Sequence, residues 1–133
     1  MLLVRAGDSW CALPLQRVRR VLPASPLHPL PGAEAQIAGL AEVDGEPLVV
    51  LDLEKLLGAP TGAGAELPVT LLVATGAADD TEIVGLAADE AGDLVGLPED
   101  AIAGPADGVV RGTAEANGKL VRILDLIALG EVA

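Results

Sequence analysis

Aromatic side chains are almost missing from this chain, which has no phenylalanine, no tyrosine and a single tryptophan, Trp10. A core without rings must be packed from Leu, Val, Ile and Ala, and a surface without rings offers no platform for stacking nucleic-acid bases. Basic residues are scarce as well: eight against twenty acidic ones, for a formal net charge of −12. The imbalance is concentrated in residues 67–133, which hold three basic and twelve acidic side chains. Such a field repels phosphate backbones and anionic membrane surfaces at long range. Nucleic acid is therefore not an expected partner, even for a small barrel of the kind that often binds oligonucleotides.

Cysteine occurs once, as Cys11, so no internal disulfide can form and nothing ties the chain to an oxidising compartment. Cys11 reads as a small strand residue, and the sole histidine, His28, has no companion at metal-ligand spacing. A phosphate-cradling glycine loop, a serine elbow, a paired-histidine zinc motif and an EF-hand loop are all lacking. Catalysis would rest on carboxylates that no motif brings together, so the expectation is a non-enzymatic protein with no cofactor and no metal. Apolar runs are broken by charge or glycine every few residues. None is long enough for a membrane span or a signal peptide, and the expected location is cytoplasmic without membrane insertion.

What the chain does have is an apolar content of 51% in 133 residues, enough for one domain or for two half-sized lobes that share packing. Ten prolines and sixteen glycines punctuate it, which suits many short strands better than long helices. The clearest instruction is residues 39–53, GLAEVDGEPLVVLDL, echoed at residues 112–126 as GTAEANGKLVRILDL. The two agree at seven positions, each pair 73 residues apart. In each copy an apolar run meets Asp44-Gly45 or Asn117-Gly118, dipeptides that tolerate the positive φ angles of a type I′ turn, and a second apolar run follows. Each copy is a predicted β-hairpin. The offset also aligns Ala12-Leu13 with Gly85-Leu86 and Val21-Leu22 with Leu94-Val95, so the chain reads as two related halves.

Around the hairpins, Leu2–Val4 and Ser9–Leu13 read as paired strands, with Trp10 packing in the core or at a lobe junction. Leu15, Val18, Val21 and Leu22 recur at helical spacing after Pro14, which predicts a helix over residues 15–22. Arg17, Arg19 and Arg20 would then lie off its apolar stripe, as a solvated basic face, a partner contact or counter-charges for acidic groups of the fold. Pro23–Pro31 holds four prolines and is expected to be an ordered extended loop. Asp52 and Asp125 are placed to cap short helices that end at Gly58 and Gly130. Residues 59–68 form a linker of small residues. Further strands are expected at Val69–Ala74 and at Glu82–Ala88, with close packing or a bend at Gly85.

Taken together, these landmarks resemble a CheW-like domain, the coupling module of bacterial chemosensory arrays. The matching stretches are LVRAGDSWCALPLQRVRRVL from Leu3, the loop with Pro31, the hairpin ending in Asp52-Leu53, EIVGLAADE from Glu82, with its strand ending at Asp89, and VVRGTAEANGKLVRILDL from Val109. Their order and spacing span the chain from about Leu2 to Gly130. The resemblance implies an all-β fold, with two small five-stranded β-barrel lobes packed together and short helical segments. On this reading residues 1–133 are a single domain, with lobe 1 over about 1–60, a linker over about 59–68 and lobe 2 over about 69–130.

The family's members are not enzymes. They bridge the regulatory domain of a CheA-like histidine kinase and the cytoplasmic tip of a methyl-accepting chemoreceptor. The implied partners here are the same, at membrane-associated receptor arrays. Val18, Gly39 and Leu40 are the implied groove residues, and Arg20, Asp44 and Gly45 complete the candidate partner-binding set. Where the family usually has an Arg-Gly turn in the first hairpin this chain has Asp44-Gly45, and where it often has a glutamate this chain has Arg20. The two signs are exchanged, so Arg20 and Asp44 are expected to pair across the fold and to alter partner choice. Two competing functions are a stand-alone regulator, which would bind only one of kinase and receptor, and a small-barrel metabolite-binding protein or enzyme, which needs an enclosed polar pocket.

Overall fold

The computed structural model describes residues 1–23, 26–58, 68–77 and 79–132, so the expected linker at residues 59–68 lies outside the described residues except for Pro68. The described residues hold ten strands: β1 (Leu2–Ala6), β2 (Ser9–Leu13), β3 (Val18–Pro23), β4 (Ile37–Val43), β5 (Glu46–Asp52), β6 (Val69–Thr75), β7 (Glu82–Ala88), β8 (Glu90–Leu94), β9 (Val110–Ala116) and β10 (Lys119–Leu124). Two helices, α1 (Leu53–Leu56) and α2 (Leu126–Val132), follow the two hairpins. The fold is all-β, as expected.

The strands form two five-stranded sheets, ordered β8-β1-β2-β10-β9 and β3-β6-β7-β5-β4. When each strand is exchanged for its counterpart 73 residues away in either direction, and β1 for β6, one order becomes the other. Neither ladder closes into a continuous barrel, since β3 and β4 are edges of one sheet and β8 and β9 of the other. The lobes do not follow the halves of the chain. One lobe is continuous from β3 to β7; the other joins β1 and β2 to β8, β9 and β10. The expected division at residues 59–68 therefore does not describe the sheets. What overrides it is non-local pairing: β2 runs parallel to β10 and β5 parallel to β7, each pair joining strands from different halves. The lobes are called here the Trp10 lobe and the Ile83 lobe, after residues that occupy equivalent places in them.

Strand alternation sorts the core into three layers, because successive side chains point to opposite faces. Cys11 and Leu13 on β2, and Leu71 and Val73 on β6, meet between the sheets, where Leu51, Leu53, Leu86, Leu126 and Leu129 join them. The intervening Ala12 faces the interior of the Trp10 lobe with Leu3, Val121 and Ile123. Leu72 faces the interior of the Ile83 lobe with Leu48, Val50 and Ala87. Trp10 packs in its lobe's interior, and a Cβ on Gly85 would lie 3.0 Å from Val50 Cγ2 and 3.1 Å from Thr70 Cγ2, so close packing does occupy that glycine.

The hairpin tips have the backbone that type I′ turns require: φ is 51° at Asp44 and 82° at Gly45, and 51° at Asn117 and 74° at Gly118. The aspartate caps also form. Asp52 Oδ1 accepts from the Lys55 amide at 3.3 Å, and Asp125 Oδ1 accepts from Ile127 and Ala128 at 3.0 and 3.1 Å.

The predicted helix over residues 15–22 does not form. A 3-10 turn at Leu15–Arg17 leads straight into β3, which pairs with β6. Val18 faces Val73 and Arg20 faces Leu72, so Arg19 is an extra, bulged residue. The bulge resets the two-residue alternation, and valines three apart then imitate a helical repeat. The second correction concerns Gly130. It lies inside α2 rather than ending it, and a Cβ there would be 2.7 Å from the Gly76 backbone, so the glycine permits the helix to dock on the end of β6.

Candidate functional site

The open end of the Ile83 lobe gathers more of the candidate residues than any other surface. There β3 brings Arg20 and the β4–β5 hairpin brings Asp44, and Arg20 Nη1 donates to Asp44 Oδ2 at 2.8 Å. This contact spans the two edge strands of one sheet, so the sheet is curled nearly onto itself. The pairing expected from the exchanged charges is present. With side chains 47% and 79% exposed it is screened by solvent, and its effect falls on orientation more than on stability.

Beside the pair is a cleft of about 690 Å³, with Leu48, Leu72, Val43, Pro47 and Ile83 as its apolar lining and Arg19, Arg20, Asp44 and Glu46 as its charged rim. Arg19 is held by its own turn, donating to the Gln16 carbonyl at 2.8 Å. Arg17 turns away from the rim and donates to the carbonyls of Ala74 and Gly76 at 3.3 and 2.8 Å. The three arginines thus have three different tasks: Arg17 ties the 3-10 turn to β6, Arg20 answers an acidic group, and Arg19 remains at the rim.

The other candidates do not share this cleft. Val18 is half-buried against the core between the sheets. Gly39 is buried beneath the chain at His28: a Cβ there would lie 2.8 Å from the His28 carbonyl oxygen, so no side chain fits. His28 and Leu40 exchange backbone hydrogen bonds at 2.8 and 2.9 Å, which pins the proline-rich loop to β4. Ala103 and Thr113 repeat the exchange at 2.8 Å in both directions, over Gly112, whose Cβ would meet the Ala103 carbonyl oxygen at 2.8 Å. Gly39 and Leu40 therefore account for themselves structurally. Gly45 completes the hairpin tip next to Asp44.

Two smaller grooves lie elsewhere. One, of about 370 Å³, is lined from the Trp10 lobe by Asp8, Ser9 and Arg122 and from the other side by Glu54 and Leu57. The second, of about 250 Å³, lies between Pro14, Arg17 and the start of α2. Cys11 is fully buried, and burial pushes its thiol up to about 12 against the lowering pull of Arg122, so it is held as a neutral thiol and not as a nucleophile. Exposed Arg111 is raised above its ordinary value by its hydrogen bond to Glu99 and by that carboxylate's charge. Among the described residues no cluster of three His, Cys, Asp or Glu side chains could hold a metal ion, and no helix is long and apolar enough to cross a membrane.

Leu48, Leu72 and Ile83, which floor the cleft, were not among the sequence candidates. The 73-residue offset held a signal for one of them only, since it sets the exposed Ile83 opposite the chain's single tryptophan, Trp10, whereas Leu48 and Leu72 carry none.

None of the curated proteins matches the chain. Among solved structures it is similar to the scaffolding protein TtCheW of Thermoanaerobacter tengcongensis, with a TM-score of 0.78 and 19% identity, covering 94% of this chain and 87% of that one. At that identity the likeness establishes the fold. The model of the CheW-like domain matches residues 1–132, and the chain belongs to the CheW-like domain family.

Proposed function

We propose that the protein is a non-enzymatic coupling scaffold of a chemosensory system, joining the regulatory domain of a CheA-like histidine kinase to the cytoplasmic tip of a chemoreceptor. The observation that carries this reading is the match to the CheW-like domain over residues 1–132, with both lobes of the fold complete in strand order. Coupling needs two separable contact surfaces on one rigid body. Two sheets packed through a single shared apolar layer supply such a body. Its location on this reading is the cytoplasmic face of a receptor array.

The Arg20–Asp44 pair bears on partner choice within this function. Its charges stand in the order opposite to that of related hairpins, so a partner surface matched to the usual order would meet like charges at the hairpin tip. Co-sedimentation of the purified protein with receptor fragments and with the kinase regulatory domain, separately and together, tests the proposal. The expected result is binding to each and a ternary complex with both. Binding to only one identifies a stand-alone regulator, and binding to neither overturns the coupling role.

A further inference from the structure

The two lobes end in equivalent mouths, and only one of them is filled from within. In the Trp10 lobe the indole packs on the lobe interior and lies over Gly92, where a Cβ would be 3.0 Å from ring atom Cζ3. Lys119 Nζ covers the ring from 4.1 Å. Three residue choices make this plug: a large ring, a glycine that leaves room for it, and a cation above its face.

At the same places the Ile83 lobe has Ile83 for Trp10, Arg19 for Gly92 and Glu46 for Lys119. Ile83 is too short to reach across, and Arg19 bonds back to its own turn. The mouth therefore stays open as the cleft of about 690 Å³, with Leu48 and Leu72 at its base. We infer that this mouth is a docking site for one aromatic side chain of a partner protein, which fills the Ile83 lobe as Trp10 fills its own.

The occupant is specified by what surrounds the space. The base is aliphatic, and the rim carries Arg19 and Arg20, whose guanidinium planes stack on rings, beside the carboxylates of Asp44 and Glu46. The ring has to come from a different protein. The chain's only aromatic residue is Trp10, already packed in the other lobe, so a second copy has no ring to offer. The inference rests on the coupling reading for the existence of such a partner, and it adds where that partner anchors and by what side chain.

The test uses the whole protein with labelled methyl groups and a short capped peptide carrying one central tryptophan, compared with the same peptide carrying alanine or leucine there. The expected result is saturable NMR shifts at Leu48, Leu72 and Ile83 with the tryptophan peptide and much smaller ones with the other two. Ile83→Trp, which builds the plug in place, and Ile83→Lys, which puts a charge at a position already 42% exposed, should each abolish these shifts. A thermal melt of each variant confirms that it is folded. Equal shifts with all three peptides, or shifts that survive in both folded variants, would overturn the inference.

In a second arm, Ile83→Trp should weaken binding of either the kinase domain or the receptor fragment by at least about tenfold, the scale of losing one buried anchor, and leave the other unchanged. If the peptide binds but neither protein does, the mouth stands and the coupling reading fails. If both proteins bind the variant as they bind the unmodified chain, the coupling reading stands and the docking site falls. Concentration-dependent self-association that Ile83→Lys abolishes would assign the mouth to aliphatic residues of a second copy and also overturn it.

Discussion

The Trp10 lobe and the Ile83 lobe share strand order, a parallel strand pair, hairpin tips, bulges and aspartate caps, yet they differ at the mouth. The features held in common are ones that backbone geometry dictates. Gly39 and Gly112 each lie under a crossing carbonyl, Gly45 and Gly118 each complete a left-handed turn, and Asp52 and Asp125 each cap a helix. The features that differ are side chains at the rim: Trp10 against Ile83, Gly92 against Arg19, Lys119 against Glu46. In a duplicated fold, agreement between copies marks what the architecture needs. Disagreement marks where one copy has been put to another use.

The largest test of this contrast is truncation of the two equivalent residues. Trp10→Ala should cost about 3 kcal/mol in urea unfolding, because it removes the ring packed on the interior of its lobe, whereas Ile83→Ala should cost about 1 kcal/mol or less from a position that is already 42% exposed. Equal losses would break the comparison. Gly39→Ala and Gly112→Ala test the opposite claim, that the lobes are alike where backbones cross. Each should cost about 2 kcal/mol, within the range for a strained backbone or a forced close contact, and the two values should agree.

Cys11 belongs to the layer both lobes share, so its titration reports on neither lobe alone. Its native pKa is raised from 9.0 to about 12, which makes its contribution complete below the unfolded value and lost as pH climbs through the native one. Above about pH 9 the unfolded chain sheds this proton while the native chain keeps it, and stability should fall by about 1.4 kcal/mol per pH unit from this group. Cys11→Ala should flatten that part of the pH profile.

Among the caps, Asp125→Ala should cost about 1 kcal/mol and Asp52→Ala less, since Asp125 accepts two amides at 3.0 and 3.1 Å and Asp52 one at 3.3 Å. The smallest effect concerns the Arg20–Asp44 pair. A double-mutant cycle should return a coupling of about 0.5 kcal/mol, vanishing at high salt, and exchanging the two residues should restore it.

The parts of this fold legible in the sequence are those encoded locally. Asp44-Gly45 and Asn117-Gly118 announce the turns, alternation announces the flanking strands, and the capping aspartates follow directly. The halves were visible too, because seven identities share one spacing. What escaped was non-local. The bulge at Arg19 gave β3 a helical spacing, and nothing within either half states that β2 pairs with β10 or β5 with β7. Of the site, the charge exchange at Arg20 and Asp44 was legible as a pair of unusual signs. The apolar base was not, since Leu48 and Leu72 read from sequence as ordinary strand residues and become a cleft only when the sheet curls.

The path of the chain between the sheets bears on the order of assembly during synthesis. Strands β3 to β7 are consecutive, so the lobe they form can close as soon as residue 88 has left the ribosome. The hairpin of β1 and β2 emerges first but completes its sheet last, after β10 has been made at Lys119–Leu124. Until then its face toward the other sheet, with Val4 and Leu13, can be covered by the finished neighbour, while Leu3 on the opposite face waits for β10. The Ile83 lobe is then a template as well as a partner, on which the earliest strands wait for the latest ones.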